Sequence, residues 1–254
     1  MKAKQLLSAG ACALMILGLA SCNSEVKLPT DTPIVQEYSL IQINDAQPIA
    51  GANFRGFFGD GQTHIATKLN NGASISVNGK DMTYHDDIAA DWSYTATLDS
   101  EEATFLFTRQ PGKTYTNTAS IKDLHRMRPP KSQDWTSTPM KSGTVYYFGY
   151  SENYDGPVNN PDDPNEIINP DDGLTQPYGT QLDITLVPAN YNSSMSVYKA
   201  YVHPDGHSFT FNAPAGKYIL YMQAILKVNL QQSNEQAGGF IMQMRQTSMD
   251  VTVE

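Results

Sequence analysis

Short segments in which apolar and polar residues alternate dominate this chain, and residues that favour turns separate them. The first half contains EYSLIQIN from Glu37, THIATKL from Thr63, ASISV from Ala73, WSYTATL from Trp92, ATFLFTR from Ala103 and TYTNTASI from Thr114. Most are rich in the β-branched and aromatic residues that favour strands. Turn signals such as Asn78-Gly79 and Pro111-Gly112 lie between them. This pattern predicts an antiparallel β-sandwich.

The second half repeats the pattern after a proline-containing stretch at residues 124–143. That stretch also has a local excess of basic residues, which is typical of a linker; a long loop of one larger sandwich is the alternative. The later segments are TVYYFGY from Thr144, TQLDITLV from Thr180, MSVYKAYV from Met195, SFTF from Ser208, KYILYMQAILKVNL from Lys217 and GGFIMQMRQTSMDVTV from Gly238. The last two predict a long hairpin near the C-terminus, with Gly238 and Gly239 marking a bend or bulge.

The N-terminal 21 residues have the composition of a secretory signal. Lys2 and Lys4 give a basic start, and a mostly apolar run follows from residue 6 to residue 20. That run is shorter than the roughly 20 apolar residues that span a bilayer, and no later run reaches that length. Leu19, Ala20, Ser21 and Cys22 then resemble the lipobox of bacterial lipoproteins.

The resemblance implies that residues 1–21 are removed and that Cys22 becomes a lipidated first residue. In that family the thiol carries diacylglycerol and the new amino group is acylated, which is sufficient for stable anchoring. A cleaved secretory signal with a chance cysteine is the alternative. Asn23 replaces the Asp that usually retains such proteins at the inner membrane, so the resemblance implies the outer membrane, facing the periplasm or the cell exterior. Residues 22–33, with Pro29 and Pro33, form the expected flexible tether.

Cysteine content and charge exclude several classes of function. Cys12 lies in the removed segment and Cys22 is lipidated, so no disulfide, thiol nucleophile or thiolate metal site is expected in the mature chain. Loss of Lys2 and Lys4 takes the formal net charge from −9 to −11. Because such a surface repels a phosphate backbone, no nucleic-acid partner is predicted.

The segment HPDGHSFTFNAPAGKYILYM carries a second resemblance. Its Pro214, Gly216 and Tyr218 match the Pro-x-Gly-x-Tyr corner between strands of transthyretin-like, or prealbumin-type, sandwich modules. The resemblance implies a β-sandwich for the second half. It implies no activity, because such modules mostly serve as structural or binding domains.

Together these features predict an all-β chain with two antiparallel β-sandwich domains of Ig-like or transthyretin-like type. The expected boundaries are 34–123 for the first domain and 144–254 for the second, with residues 124–143 as linker. An acidic insert is expected at 151–179 within the second domain.

The acidic insert is the candidate metal site. Ca²⁺ takes six to eight oxygen ligands and tolerates irregular geometry. The EF-hand spacing is absent, so a solvated acidic loop is the alternative and no other cofactor is predicted. The candidate ligands are Asp162, Asp163, Glu166, Asp171 and Asp172.

Four tyrosines just before the insert are the candidate binding residues: Tyr146, Tyr147, Tyr150 and Tyr154. Flat rings beside acids and amides stack on sugar rings or contact a protein partner. In a strand, however, alternate rings face the core, so packing is the competing interpretation.

Other residues that could bind a metal or take part in catalysis also have a structural interpretation. His203 and His207 are four residues apart, as in helical zinc motifs, but Pro204, Asp205 and Gly206 between them predict a turn. Met242 and Met244 share one strand face and suit either Cu(I) or core filling. No Gly-x-Ser-x-Gly elbow or Gly-rich phosphate loop is present, so the chain is not expected to be an enzyme.

The sequence therefore predicts an outer-membrane lipoprotein that acts as a non-enzymatic binding or assembly module for a protein or glycan partner. The first alternative is a calcium- or glycan-binding surface lipoprotein that uses the Tyr146 to Asp172 region. The second alternative is a periplasmic hydrolase with catalytic residues dispersed on loops.

Overall fold

The structure, a computed structural model, describes residues 34–57, 63–66, 69, 72–85, 92–159, 167–168, 172–192, 194–233 and 238–254. The predicted signal segment, Cys22 and the tether lie outside the described residues. Every regular element in the described ranges is a strand, which confirms the predicted all-β class. Accordingly, no helix in these ranges has the length and apolar character needed to cross a membrane.

Eighteen strands are described. They are β1 Ile34–Ile43, β2 Ile49–Phe57, β3 Thr63–Ala66, β4 Ser74–Val77, β5 Lys80–Asp81, β6 Thr83–Tyr84, β7 Tyr94–Thr97, β8 Glu102–Gln110, β9 Lys113–Ser120, β10 Tyr146–Tyr147, β11 Val158–Asn159, β12 Ile167–Ile168, β13 Gln181–Pro188, β14 Tyr198–Lys199, β15 Tyr201–Val202, β16 Ser208–Thr210, β17 Gly216–Asn229 and β18 Gly239–Val253.

The strands form four sheets. The largest has the order β14-β13-β17-β18-β1-β2-β7-β6, with β3 beside β2. The other three have the orders β5-β4-β8-β9, β10-β16-β15 and β11-β12. The adjacency of β17 and β18 confirms the predicted long hairpin near the C-terminus.

The described residues divide into two compact units. Unit 1 contains residues 34–42, 46–122 and 227–243, and unit 2 contains residues 43–45, 123–226 and 244–254. The division differs from the predicted boundaries because β17 and β18 each contribute residues to both units.

Unit 1 is a sandwich whose two layers meet through aromatic rings. Tyr38 of β1 stacks on Phe105 of β8 with ring centroids 4.7 Å apart. Phe54 of β2 lies 4.5 Å from Phe107 of β8. Alternate side chains of β8 are buried, as the period-2 pattern predicts for a strand with one face on the core. These rings supply both large buried apolar area and specific edge and face contacts.

Unit 2 has a second core. Its buried members are Met127, Trp135, Met140, Phe148, Tyr150, Ile184, Leu186, Phe209, Phe211, Ala213, Tyr218, Leu220, Met222, Val251 and Val253. Three of these, Met127, Trp135 and Met140, come from the stretch 124–143 that its prolines and basic residues predict to be a linker. Because their side chains are apolar and find partners in the core, the stretch packs as part of unit 2.

The pattern predicted two of the turns but missed five strands, namely β2 and the two-residue strands β5, β6, β11 and β12. β2 contains Gly51, at which an added Cβ would lie 2.6 Å from Cγ of Trp92, so the glycine admits the indole against the sheet. Asn78 and Gly79 both have positive φ and connect β4 to β5 as a two-residue hairpin. Gly112, with φ of 84°, performs the same role between β8 and β9.

Candidate binding face

The small sheet β10-β16-β15 positions the predicted tyrosines in unit 2. Tyr146 pairs with Phe209, Tyr147 with Ser208, and Tyr201 with Thr210. The backbone N–H of Phe148 donates to the carbonyl of His207 at 2.8 Å, and that of His203 donates to Ser208 at 2.9 Å, so the ladders continue beyond the short strands. Side chains therefore alternate in register across all three strands.

The inner face of this sheet covers the core. Phe209 is fully buried, and Tyr146 packs against the same cluster. The ring of Tyr146 stacks on Phe211 with centroids 5.8 Å apart, and its hydroxyl accepts a hydrogen bond from the Lys141 N–H at 2.5 Å. The ring and the hydroxyl of Tyr146 are thus both engaged in packing unit 2.

The outer face of the same sheet carries aromatic and apolar side chains. By the register, Val145, Tyr147, Tyr201 and His203 lie on it, and we name this set the tyrosine face. Val145 is 43% exposed and Tyr201 is 61% exposed, while Tyr147 and His203 are half-buried. The rings of Tyr201 and His203 meet edge to face, with centroids 5.0 Å apart. Such a surface offers flat rings with polar edges to a ligand.

Tyr150 and Tyr154 are placed in the interior instead. Both are buried, and the Tyr150 hydroxyl donates to the carbonyl of Gly206 at 2.7 Å. Burial raises the pKa of Tyr150, and the nearby Asp172 carboxylate raises it further. The Tyr154 ring lies against Gly149, where an added Cβ would overlap it. Of the four predicted tyrosines, only Tyr147 lies on the tyrosine face.

Asp172 is the one predicted calcium ligand within the described residues. Its Oδ2 accepts hydrogen bonds from the backbone N–H groups of Tyr150, at 2.6 Å, and Ser151, and its Oδ1 accepts one from Leu174 at 3.3 Å. Backbone donors thus engage both carboxylate oxygens and hold Asp172 against the backbone of Tyr150 and Ser151. The other predicted ligands, Asp162, Asp163, Glu166 and Asp171, lie outside the described residues.

The two histidines of the His203 to His207 turn face opposite ways. His203 lies on the tyrosine face, whereas His207 is buried beside Tyr150, with ring centroids 4.9 Å apart. The Asp205 carboxylate accepts the backbone N–H groups of His207 and Ser208 and fixes the turn. Burial alone would raise the pKa of Asp205, but these hydrogen bonds outweigh it and lower the pKa.

No group of three or more His, Cys, Asp or Glu side chains able to hold a metal ion occurs within the described ranges. Met242 and Met244 are both buried, as core filling requires.

No known protein family matches this chain, and no curated protein is significantly similar to it.

Sequence reasoning identified Tyr147 but missed Tyr201 and Val145. The signal was the alternation in MSVYKAYV, which predicts that Tyr201 and Val202 face opposite sides of a strand. Which of them faces the solvent depends on the pairing of β15 with β16, a contact that local sequence does not specify.

Proposed function

We propose that this chain is a lipid-anchored bacterial outer-membrane protein that acts as a non-enzymatic binding module and contacts a protein or glycan partner through the tyrosine face. Lipids on Cys22 would anchor the chain in the outer membrane. Residues 22–33 would act as a flexible tether between the anchor and the folded part. A rigid sandwich would hold the contact residues in place, the usual division between scaffold and binding surface.

The exposure of the tyrosine face is the observation that supports binding. The exposed large hydrophobic side chains in the described ranges are Leu106, Val145, Leu174, Tyr178 and Tyr201. All but Leu106 belong to unit 2, and Val145 and Tyr201 lie on one face of one sheet. Exposed aromatic and apolar side chains on one face of a sheet are typical of binding surfaces, which are enriched in tyrosine.

Stacking geometry favours a glycan as a specific candidate partner. Tyr147 and Tyr201 carry rings with hydroxyl groups, and the His203 ring packs edge to face against Tyr201. Aromatic faces contact the apolar faces of sugar rings, while tyrosine hydroxyl groups hydrogen-bond to the sugar hydroxyls.

The binding test compares three tyrosine variants of a soluble chain that starts at Glu25. Binding to a panel of cell-wall and dietary polysaccharides, and to proteins captured from the outer membrane, would be measured by calorimetry or biolayer interferometry. Tyr147→Ala and Tyr201→Ala should each weaken binding by about tenfold, the effect expected for loss of one aromatic contact. Tyr178→Ala is the matched control, because Tyr178 is fully exposed but lies off the small sheet. Equal binding by all three variants would reject the tyrosine face as the site.

The same soluble chain distinguishes binding from catalysis. Incubation with ester, peptide and glycan substrates should give binding without product. Turnover that survives repurification would replace the binding proposal with the hydrolase alternative.

The anchor has a separate test in the full-length chain. Mass spectrometry of the N-terminal peptide should show Cys22 with diacylglycerol and an acylated amino group, and Cys22→Ala should move the protein out of the membrane fraction. An unmodified Cys22 in membrane-associated protein would contradict the anchor.

A further inference from the structure

A pair of arginines in unit 2 shares a single acidic partner. Nη1 of Arg126 donates to Oδ1 of Asp45 at 2.7 Å, and Nη2 of Arg128 lies 3.8 Å from the same oxygen. Arg128 also donates from Nη2 to Oε1 of Glu152 at 2.9 Å. Two guanidinium groups therefore converge on one carboxylate oxygen.

Arg126 is buried and Arg128 is half-buried, whereas their acidic partners are exposed. The Arg126 side chain is 6% exposed, while the side chains of Asp45 and Glu152 are 81% and 76% exposed. Nε of Arg126 and Nε of Arg128 are both buried with no hydrogen-bond partner among the described residues. Buried guanidinium donors without acceptors are costly, because water no longer solvates them.

The backbone around the pair is fixed from three directions. Arg128 and Gly149 exchange backbone hydrogen bonds of 2.8 and 3.0 Å. The Thr247 hydroxyl donates to the Met127 carbonyl at 2.6 Å, between the two arginines. The Asn44 N–H donates to the Gln246 carbonyl at 2.8 Å, which holds the residue before Asp45 against β18. The backbone that carries both arginines is thus fixed, whereas the Asp45 carboxylate that they share is exposed.

Two exposed carboxylates, Asp45 and Glu152, lie against the pair, and a third guanidinium group, that of Arg245, acts on Arg126. Burial lowers the pKa of Arg126, and repulsion from Arg128 and Arg245 lowers it further, against the raising effect of Asp45. The hydrogen bond and charge of Arg126 in turn lower the pKa of Asp45. Because the chain as a whole is acidic, any attraction for an anion has to come from this local cluster.

We propose that Arg126 and Arg128 form an oxyanion-binding site, in which a phosphate or carboxylate group of a ligand displaces the exposed carboxylate of Asp45. A guanidinium group presents a planar fork of donors that matches the oxygens of such groups. A ligand with two or three oxygens offers both forks acceptors that one shared oxygen of Asp45 does not. The site is separate from the tyrosine face and does not depend on the function proposed for that face.

The test removes the Asp45 carboxylate by substitution and measures whether anions then bind more tightly. The soluble chain from Glu25, its Asp45→Asn variant and a control would be titrated with inorganic phosphate and with acetate at constant ionic strength, and the melting temperature recorded. Asp45→Asn should bind phosphate or acetate about tenfold more tightly than the unaltered chain, because one charged competitor for the guanidinium donors is gone. Asp99→Asn is the matched control, since Asp99 is an exposed partner of Lys80 in unit 1.

Several outcomes separate the possibilities. A response to phosphate alone indicates a phosphorylated ligand, and a response to both anions indicates a carboxylate site. Arg128→Gln in the Asp45→Asn background should abolish the response; Arg128 is the less buried of the two arginines. If Asp45→Asn fails to fold, Glu152→Gln carries the same comparison. If Asp45→Asn responds to the anions no more than Asp99→Asn does, the shift is general salt stabilisation and the proposal is overturned.

Discussion

Neighbouring tyrosines of β10 serve opposite purposes because side chains alternate across a strand. Tyr146 packs against Phe211 and accepts a backbone hydrogen bond, whereas Tyr147 points away from the core. Tyr146 therefore stabilises the fold, while its immediate neighbour Tyr147 is a candidate contact residue. Comparison of the two positions distinguishes a loss of binding from a loss of folding.

Asp134 shows how strongly local hydrogen bonds act on one exposed carboxylate. The hydroxyl groups of Ser137 and Thr136 both donate to it, as does the Thr136 N–H at 3.0 Å. These bonds, with that of Ser137 the largest effect, lower the pKa of Asp134 to about 2. The folded chain thus favours the ionised form more than the unfolded chain does.

We expect the Asp134 carboxyl to titrate with a midpoint of about 2 in the folded protein. Since the folded pKa is below the unfolded value of 3.8, the contribution of Asp134 to stability is complete above pH 4 and is lost as the pH falls towards 2. Carboxyl carbon NMR shifts measured against pH would give the midpoint. Ser137→Ala should raise the midpoint, and a midpoint near 4 in the unaltered chain would contradict the prediction.

At the scale of elements, β9 is an edge strand whose backbone is covered by glutamine side chains. The Thr116 N–H donates to Oε1 of Gln232 at 2.8 Å, and the Thr118 N–H donates to Oε1 of Gln231 at 2.9 Å. Nε2 of Gln231 returns a hydrogen bond to the Thr118 carbonyl at 3.1 Å. The amide groups thus reproduce part of what a neighbouring strand would offer, and they block the edge.

Replacement of both Gln231 and Gln232 by Ala should reduce the free energy of unfolding by about 1 to 3 kcal/mol, because three hydrogen bonds to β9 are lost. It should also promote self-association through the uncovered edge. Urea unfolding would measure the first effect, and sedimentation velocity at rising concentration the second.

Gln181→Ala is the matched control for the pair, because Gln181 is an exposed glutamine on β13. A double variant that stays as stable and as monomeric as this control would show that the glutamines do not protect the edge.

Local sequence predicted most of the longer strands and several turns, since alternation and Asn-Gly or Pro-Gly signals are short-range properties. β2 was not predicted because Gly51 interrupts its alternation. That glycine makes room for the ring of Trp92, which lies 41 positions further along the chain. Trp135 likewise sits among proline and polar residues, and its burial follows from contact with Phe209, 5.7 Å away between ring centroids. Distant partners decide such positions, so neither the packed stretch 124–143 nor the exposure of Tyr201 could be read from local pattern.

At the scale of the whole molecule, both units contain residues from the C-terminal part of the chain. Unit 1 takes residues 227–243 in addition to its N-terminal part, and unit 2 takes residues 244–254. Ile241 and Met242 are buried in the first set, and Val251 and Val253 in the second. A cut at the predicted boundary near residue 123 therefore removes buried residues from unit 1.

We expect a fragment of residues 34–122 to remain unfolded, since it lacks β18, the neighbour of β1 in the large sheet. Dispersed amide NMR signals should be seen for residues 34–254 and not for the fragment. A cooperatively folded fragment would instead support an autonomous first domain that ends near residue 123.

The position of β18 in the chain has a consequence for biosynthesis. Neither unit has all its core residues until this strand has been made, so a chain still emerging from the ribosome has only partial sheets to form. Domains generally fold as units during synthesis, the N-terminal domain first. Here both units wait for the last strand, so their folding is delayed until synthesis is almost finished. Late completion of both cores keeps the nascent polypeptide extended for longer, which is the form that the export proposed for this chain would require.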